Sequence, residues 1–248
     1  MKKRGMRNSQ SGFSVVELMI ALFIMTLVIG ALFSQMIQGQ QYSAAERTKL
    51  DLFQEAREFM DQMSRDMRAA GYPNTRNFAS DTLHQANPNE SVGLVKLDKG
   101  ELWFESAING DQTVYQIHYR LDPNCAPNPP CLVRSQAPKN SGNPDDTSLQ
   151  AEHDQTEVQN VYLPNGVDAD PIFSAYNAVD GSAVSLPITF SDANIANINT
   201  IMVRLTVQSP VPDKTGKNPT MTLISTIRLN NCTVAYPYNS ASAFMGCE

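Results

Sequence analysis

Residues 12–33 read G-F-S-V-V-E-L-M-I-A-L-F-I-M-T-L-V-I-G-A-L-F, and Glu17 is their only charged residue. An apolar run of about 20 residues is long enough to cross a bilayer as a helix. Lys2, Lys3, Arg4 and Arg7 lie in front of it, with no acid among residues 1–12. Positive charge before the first span holds that side in the cytoplasm and sends the rest of the chain outward. A cleaved secretory signal is one competing reading. It would be shorter and end at a small-x-small site, whereas this run continues through Ser34, Gln35 and Gln38. A plain signal anchor is another. Neither accounts for Glu17, since a carboxylate within a membrane helix costs about 2.5–3.5 kcal/mol at the centre and normally has a partner.

Beyond Gln41 the pattern becomes amphipathic. Leu52, Ala56, Phe59, Met63 and Met67 recur at helical spacing, and Leu50, Phe53, Met60 and Ala70 widen the face. Glu46, Arg47, Lys49, Asp51, Glu55, Glu58, Asp61 and Arg65 occupy the other side. This predicts a helix lying on a core, stopped by Gly71 and Pro73. Counted from Phe13 to Ala70, the helix would span about 87 Å at 1.5 Å per residue. Gly30 and Gly39 are its weak points.

After a polar connection over 74–90, short alternating runs predict strands at 91–97, 101–106, 112–121, 132–135, 158–163, 172–176, 201–208 and 221–229. Asp98-Lys99-Gly100 and Asn109-Gly110 supply turns, and residues 136–156 read as an exposed loop. The expected fold is α+β: one long N-terminal helix, its outer half packed on an antiparallel sheet.

The formal charge is −6, and without the first twelve residues 15 bases face 25 acids, a net −10. Such a body is a poor general binder of nucleic acid, whose affinity comes largely from clustered Lys and Arg. Four cysteines, Cys125, Cys131, Cys232 and Cys247, allow three pairings. Cys125–Cys131 and Cys232–Cys247 are favoured because each closes a short loop. Free thiols or a zinc site are the alternatives, and zinc is opposed by the lack of a C-x-x-C pair and the separation of His84, His118 and His153. No G-x-S-x-G, H-E-x-x-H, phosphate loop or dinucleotide fingerprint occurs, so no catalytic residue, metal or cofactor is assigned. His118 reads as a solvated or half-buried strand residue, and His153 as a loop residue beside Glu152 and Asp154. Asp168, Asp170 and Asp180 read as acidic loop rather than a calcium site, since the EF-hand spacing is absent.

The basic leader, the Gly12-Phe13 junction, Glu17 five residues into the segment that follows, and the unbroken apolar run together resemble the cleavage and methylation motif of type IV prepilins and pseudopilins. The resemblance implies cleavage after Gly12 by a prepilin peptidase and methylation of the new amino group of Phe13. It implies that Glu17 meets the amino terminus of a neighbouring subunit. Residues 1–12 would be the leader, 13–40 the membrane and filament-core half of the helix, and 41–248 a globular head. Within the head, 41–70 would be the amphipathic half-helix, 91–230 the sheet and 232–248 a disulfide-closed terminal loop like that of many pilins.

M-S-R-D-M-R-A-A-G-Y-P (63–73), Y-Q-I-H-Y-R-L (115–121), C-L-V-R-S (131–135), I-M-V-R-L-T-V (201–207) and S-T-I-R-L-N-N (225–231) are similar, in order, to segments of PilW-type minor pilins. These are themselves similar to the J pseudopilins of type II secretion. Asn230 stands where that family usually has a second arginine. The implied role is structural: a minor pilin that primes pilus assembly and stays at or near the tip, with twitching motility as the outcome. Its partners would be other minor pilins, the major pilin, the prepilin peptidase and the inner-membrane assembly platform. It would be an inner-membrane protein with its head in the periplasm, and then part of an extracellular filament. A J-type pseudopilin is the alternative, and a membrane-anchored exported enzyme a third reading.

Overall fold

The computed structural model describes residues 14–73, 86–110, 113–139, 154–213 and 216–229. Among these residues the long helix α1 (Val15–Arg68) precedes nine strands: β1 (Leu94–Asp98), β2 (Glu101–Ser106), β3 (Tyr115–Asp122), β4 (Cys131–Pro138), β5 (Gln155–Val158), β6 (Phe173–Asn177), β7 (Ile188–Thr189), β8 (Ile198–Gln208) and β9 (Thr220–Arg228). A 3-10 turn at Ala193–Asn197 leads into β8, capped by Asp192, whose side chain accepts from the Asn194 amide. The chain divides into two units, Met1–Arg47 and Thr48–Glu248.

In the first unit α1 is an apolar helix with no internal core of its own. In the second unit its continuation buries Leu52, Ala56, Phe59, Met60, Met63 and Met67. That is the face the spacing predicts, and burying one such side chain is worth about 1.5–3 kcal/mol. Phe53 packs at its margin. Leu50 does not join it and is 62% exposed, because two residues before Leu52 is about 200° around the helix. The helix ends at Arg68. Turns then carry the chain to Gly71, which adopts a φ of 85° and donates its amide to the Glu105 carbonyl at 2.9 Å. A residue there with a side chain would be strained.

The fold class is the expected α+β, but the strands form two antiparallel sheets rather than one. The first has the order β5-β4-β3-β2-β1-β7, the second β6-β8-β9. Alternation shows which residues are strand; it says nothing about which strand pairs with which. The amides of Ile172 and Phe173 both donate to the Lys99 carbonyl in the β1–β2 turn, at 2.8 and 3.0 Å. That tie starts β6 beside the first sheet while its ladder partner is β8. The predicted 158–163 strand ends at Val158. Asn160 sits at φ 56°, and beyond it only Val161 makes an isolated bridge, to Val207. The predicted 136–156 loop is invaded from both ends by β4 and β5. The two-residue β7 carries no alternation to read.

The core joins the helix to both sheets. Leu94, Leu97, Leu102, Phe104, Ile117, Tyr119 and Leu132 come from the first, and Phe173, Ala175, Ile201, Val203, Leu205, Val207 and Ile227 from the second. Leu94 and Leu97 are three apart and would face opposite ways in a regular strand. A register shift between Leu94 and Lys96 turns both inward, as a bulge does.

Cys125 and Cys131 are disulfide-bonded, with Cα atoms 6.1 Å apart. The bridge closes the turn between β3 and β4. The chain-entropy model gives a loop this short about 2 kcal/mol. Cys125→Ser with Cys131→Ser is therefore expected to lower Tm by about 4–8 °C; unchanged calorimetric melting would contradict this. Cys232 and Cys247 lie outside the described residues.

Candidate assembly interface

In the first unit every described residue from Ser14 to Ala44 is exposed. Val15 is 74%, Phe23 65% and Phe33 61% accessible. An 18-residue window of α1 has a mean hydropathy of 2.6, and none of it is buried, which makes α1 long and apolar enough to cross a membrane. Apolar surface on this scale is stable only in lipid or against other apolar helices. The polar side chains within it are few. Thr26 turns its hydroxyl back to the Phe23 carbonyl at 2.8 Å, which hides it from an apolar surrounding.

Glu17 lies in the first turn of α1, where a carboxylate is favoured by the helix dipole. In this single chain it is exposed. Its position is chemically specific: it is one anion at the start of a helical stretch that carries no other charge before Glu46. Gly12 and Phe13 lie outside the described residues.

In the second unit α1 is tied to the first sheet by a polar network. Asp66 Oδ2 accepts from the Tyr119 hydroxyl at 2.7 Å and from Arg134 Nε and Nη2 at 3.2 and 3.0 Å. Arg134 also donates to the Tyr119 hydroxyl and to Gln136 Oε1, and its guanidinium lies 5.8 Å over the Tyr119 ring. Burial, with the Asp66 charge beside it, holds the Tyr119 hydroxyl well above its ordinary value, so it remains a donor. The sequence alone gives Asp66 and Arg134 no role. Their pairing has no local signal, being a helix-to-sheet contact across 68 positions.

On the sheet face away from α1, Val92, Val95 and Trp103 form a second small cluster with Phe190. His118 belongs to this side. It is 6% exposed, more buried than its strand position predicted, and stacks on Trp103 with centroids 5.0 Å apart. Its Nε2 is 2.8 Å from Glu101 Oε1, while Lys96 Nζ meets Glu101 Oε2 at 2.5 Å. Burial would raise the Glu101 carboxyl, but the His118 and Lys96 hydrogen bonds and charges outweigh it and hold the group at about 2.

A carboxyl depressed from 4.5 stabilises the fold above about pH 4.5 and loses that contribution as pH falls towards about 2. Glu101→Gln should therefore flatten the fall of Tm across this window. A slope identical to wild type would show that Glu101 is not the titrating group.

The candidate calcium carboxylates are separately engaged. Asp168 pairs with Lys99 Nζ at 2.9 Å, Asp170 accepts from Asn165, and Asp180 accepts from the amide and hydroxyl of Ser182. Among the described residues no group of three or more His, Cys, Asp or Glu is placed to hold a metal ion. His84 and His153 lie outside those residues.

Residues 7–33 match the prokaryotic N-terminal methylation motif. No curated protein and no solved structure matches the chain. The motif match, with the apolar helix it overlaps, supports a type IV pilin-like protein, a pilin or pseudopilin subunit.

Proposed function

We propose that this chain is a minor pilin of a type IV pilus, of the PilW kind, which helps to prime assembly and sits at or near the tip. One observation carries the reading: the methylation motif covers the start of an apolar helical stretch, exposed from Ser14 to Ala44, whose single charge is Glu17. Such a helix needs lipid before assembly and neighbouring helices after it, and exchanging one for the other moves a subunit from membrane to filament without covalent chemistry. Prepilin peptidase cuts after Gly12, and Phe13 is methylated. Glu17 then pairs with the amino terminus of a neighbour, which sets the register. The other minor pilins, the major pilin and the assembly platform are its partners. The head is periplasmic before assembly and extracellular after it.

Mass spectrometry of the amino terminus, on membrane and sheared-filament fractions, tests this. A chain beginning at N-methylated Phe13 and recovered with sheared pili is expected. A chain still beginning at Met1, in cells with active peptidase, would overturn the reading. Gly12→Ala is expected to leave the longer form in the membrane and none in filaments. A deletion strain separates the J-type pseudopilin reading: loss of pili and twitching supports the minor pilin, and loss of protein secretion supports the pseudopilin.

A further inference from the structure

The outer face of the first sheet contains a buried polar triad that the assembly reading does not use. Glu105 on β2 lies directly opposite Gln116 on β3, and Gln116 lies opposite Ala137 on β4. Lys139 is two residues beyond Ala137, and its amide donates to the Val114 carbonyl, continuing the ladder. Two residues on is the same face of a strand, so Glu105, Gln116 and Lys139 share one side. Glu105 and Gln116 are 0% exposed and Lys139 5%. Lys139 Nζ is 2.8 Å from Glu105 Oε2, and both side chains are wholly buried. The Gln116 side chain also hydrogen-bonds the Glu105 carboxylate. One carboxylate therefore holds an amine and a carboxamide side by side in a site closed to water.

We propose that this triad is a modification site, at which Lys139 Nζ and Gln116 Cδ join in an intramolecular isopeptide bond with Glu105 as the proton-transfer group. The Lys139 ammonium first gives a proton to Glu105. Its neutral Nζ attacks Gln116 Cδ. Glu105 returns that proton to the departing amide nitrogen and takes the second proton from Nζ. The Nζ–Cδ bond forms, the Cδ–Nε2 bond breaks, and ammonia leaves. No oxidant or co-reactant is needed.

The physical case has three parts. Burial raises the Glu105 carboxyl, with Lys139 opposing; this suits Glu105 to hold the proton it must carry. Two groups held by one carboxylate have a high effective concentration towards each other. A closed site also keeps water from competing with the amine. The product would tie β3 covalently to the residue that follows β4, at the opposite end of the strand pair from the Cys125–Cys131 bridge that closes the β3–β4 turn.

Intact mass of the purified, reduced full chain tests this, followed by mapping of crosslinked peptides. The expected chain is about 17 Da lighter than its sequence, the mass of ammonia, with one peptide joining Gln116 to Lys139. Glu105→Gln should restore the full mass. A wild-type chain of full mass overturns the proposal and leaves a plain buried ion pair. A deficit of about 18 Da mapping to Lys139 and Glu105 also overturns it, since water rather than ammonia would then have left. So does a 17 Da deficit that persists in Glu105→Gln. If that variant fails to accumulate, the wild-type mass and peptide map decide alone.

Discussion

Glu17→Ala is expected to leave processing intact and to cut recovery of the subunit in sheared filaments by about two orders of magnitude. The reasoning rests on charge burial. In a packed helical bundle the amino terminus of a neighbour is an ammonium in apolar surroundings, and Glu17 is the one anion in the run from 12 to 33 able to meet it. Removing one member of a buried pair costs about 3–5 kcal/mol, because the other is left uncompensated. At about 1.4 kcal/mol per factor of ten, that is a hundredfold loss or more in the equilibrium for incorporation. Cleavage is unaffected, since the scissile junction lies upstream. Immunoblots of filament and membrane fractions read both quantities. Equal recovery of wild type and Glu17→Ala in filaments would remove Glu17 from the assembly mechanism.

Asp66→Ala should destabilise the head by about 2–4 kcal/mol, a loss of about 10 °C in Tm for a domain of this size. Three hydrogen bonds end on Asp66 Oδ2. Without it the Arg134 guanidinium, whose side chain is 12% exposed, keeps its hydrogen bonds to Tyr119 and Gln136 but loses its countercharge. The small residual exposure of both charges places the cost below that of a fully desolvated pair. Replacing both charges by apolar residues, Asp66→Met with Arg134→Met, should recover most of the loss, because no buried charge is then stranded. Calorimetry on the single and double variants measures this. A double variant as unstable as Asp66→Ala would show that the network contributes through its hydrogen bonds, not through charge compensation.

Length, hydropathy and spacing determined much by themselves. The apolar run, its basic leader, the position of Glu17 and the buried face at Leu52, Ala56, Phe59, Met63 and Met67 are local patterns. Each is set by contacts within a few turns of one helix, or by a demand that lipid makes of any chain. Most strand positions were legible for the same reason, as alternation is a property of a single strand; β5 and the two-residue β7 were not. The tertiary structure decided what depends on partners distant in the chain. It split the strands into two sheets, because pairing is chosen between strands, and it paired β6 with β8. It also placed Leu94 and Leu97 together through a bulge. Finally, it brought Asp66 to Arg134, Glu101 to His118, and Glu105 to Gln116 and Lys139. In sequence these residues look like ordinary surface polarity. Burial makes their hydrogen bonds matter, and burial is a property of the whole fold.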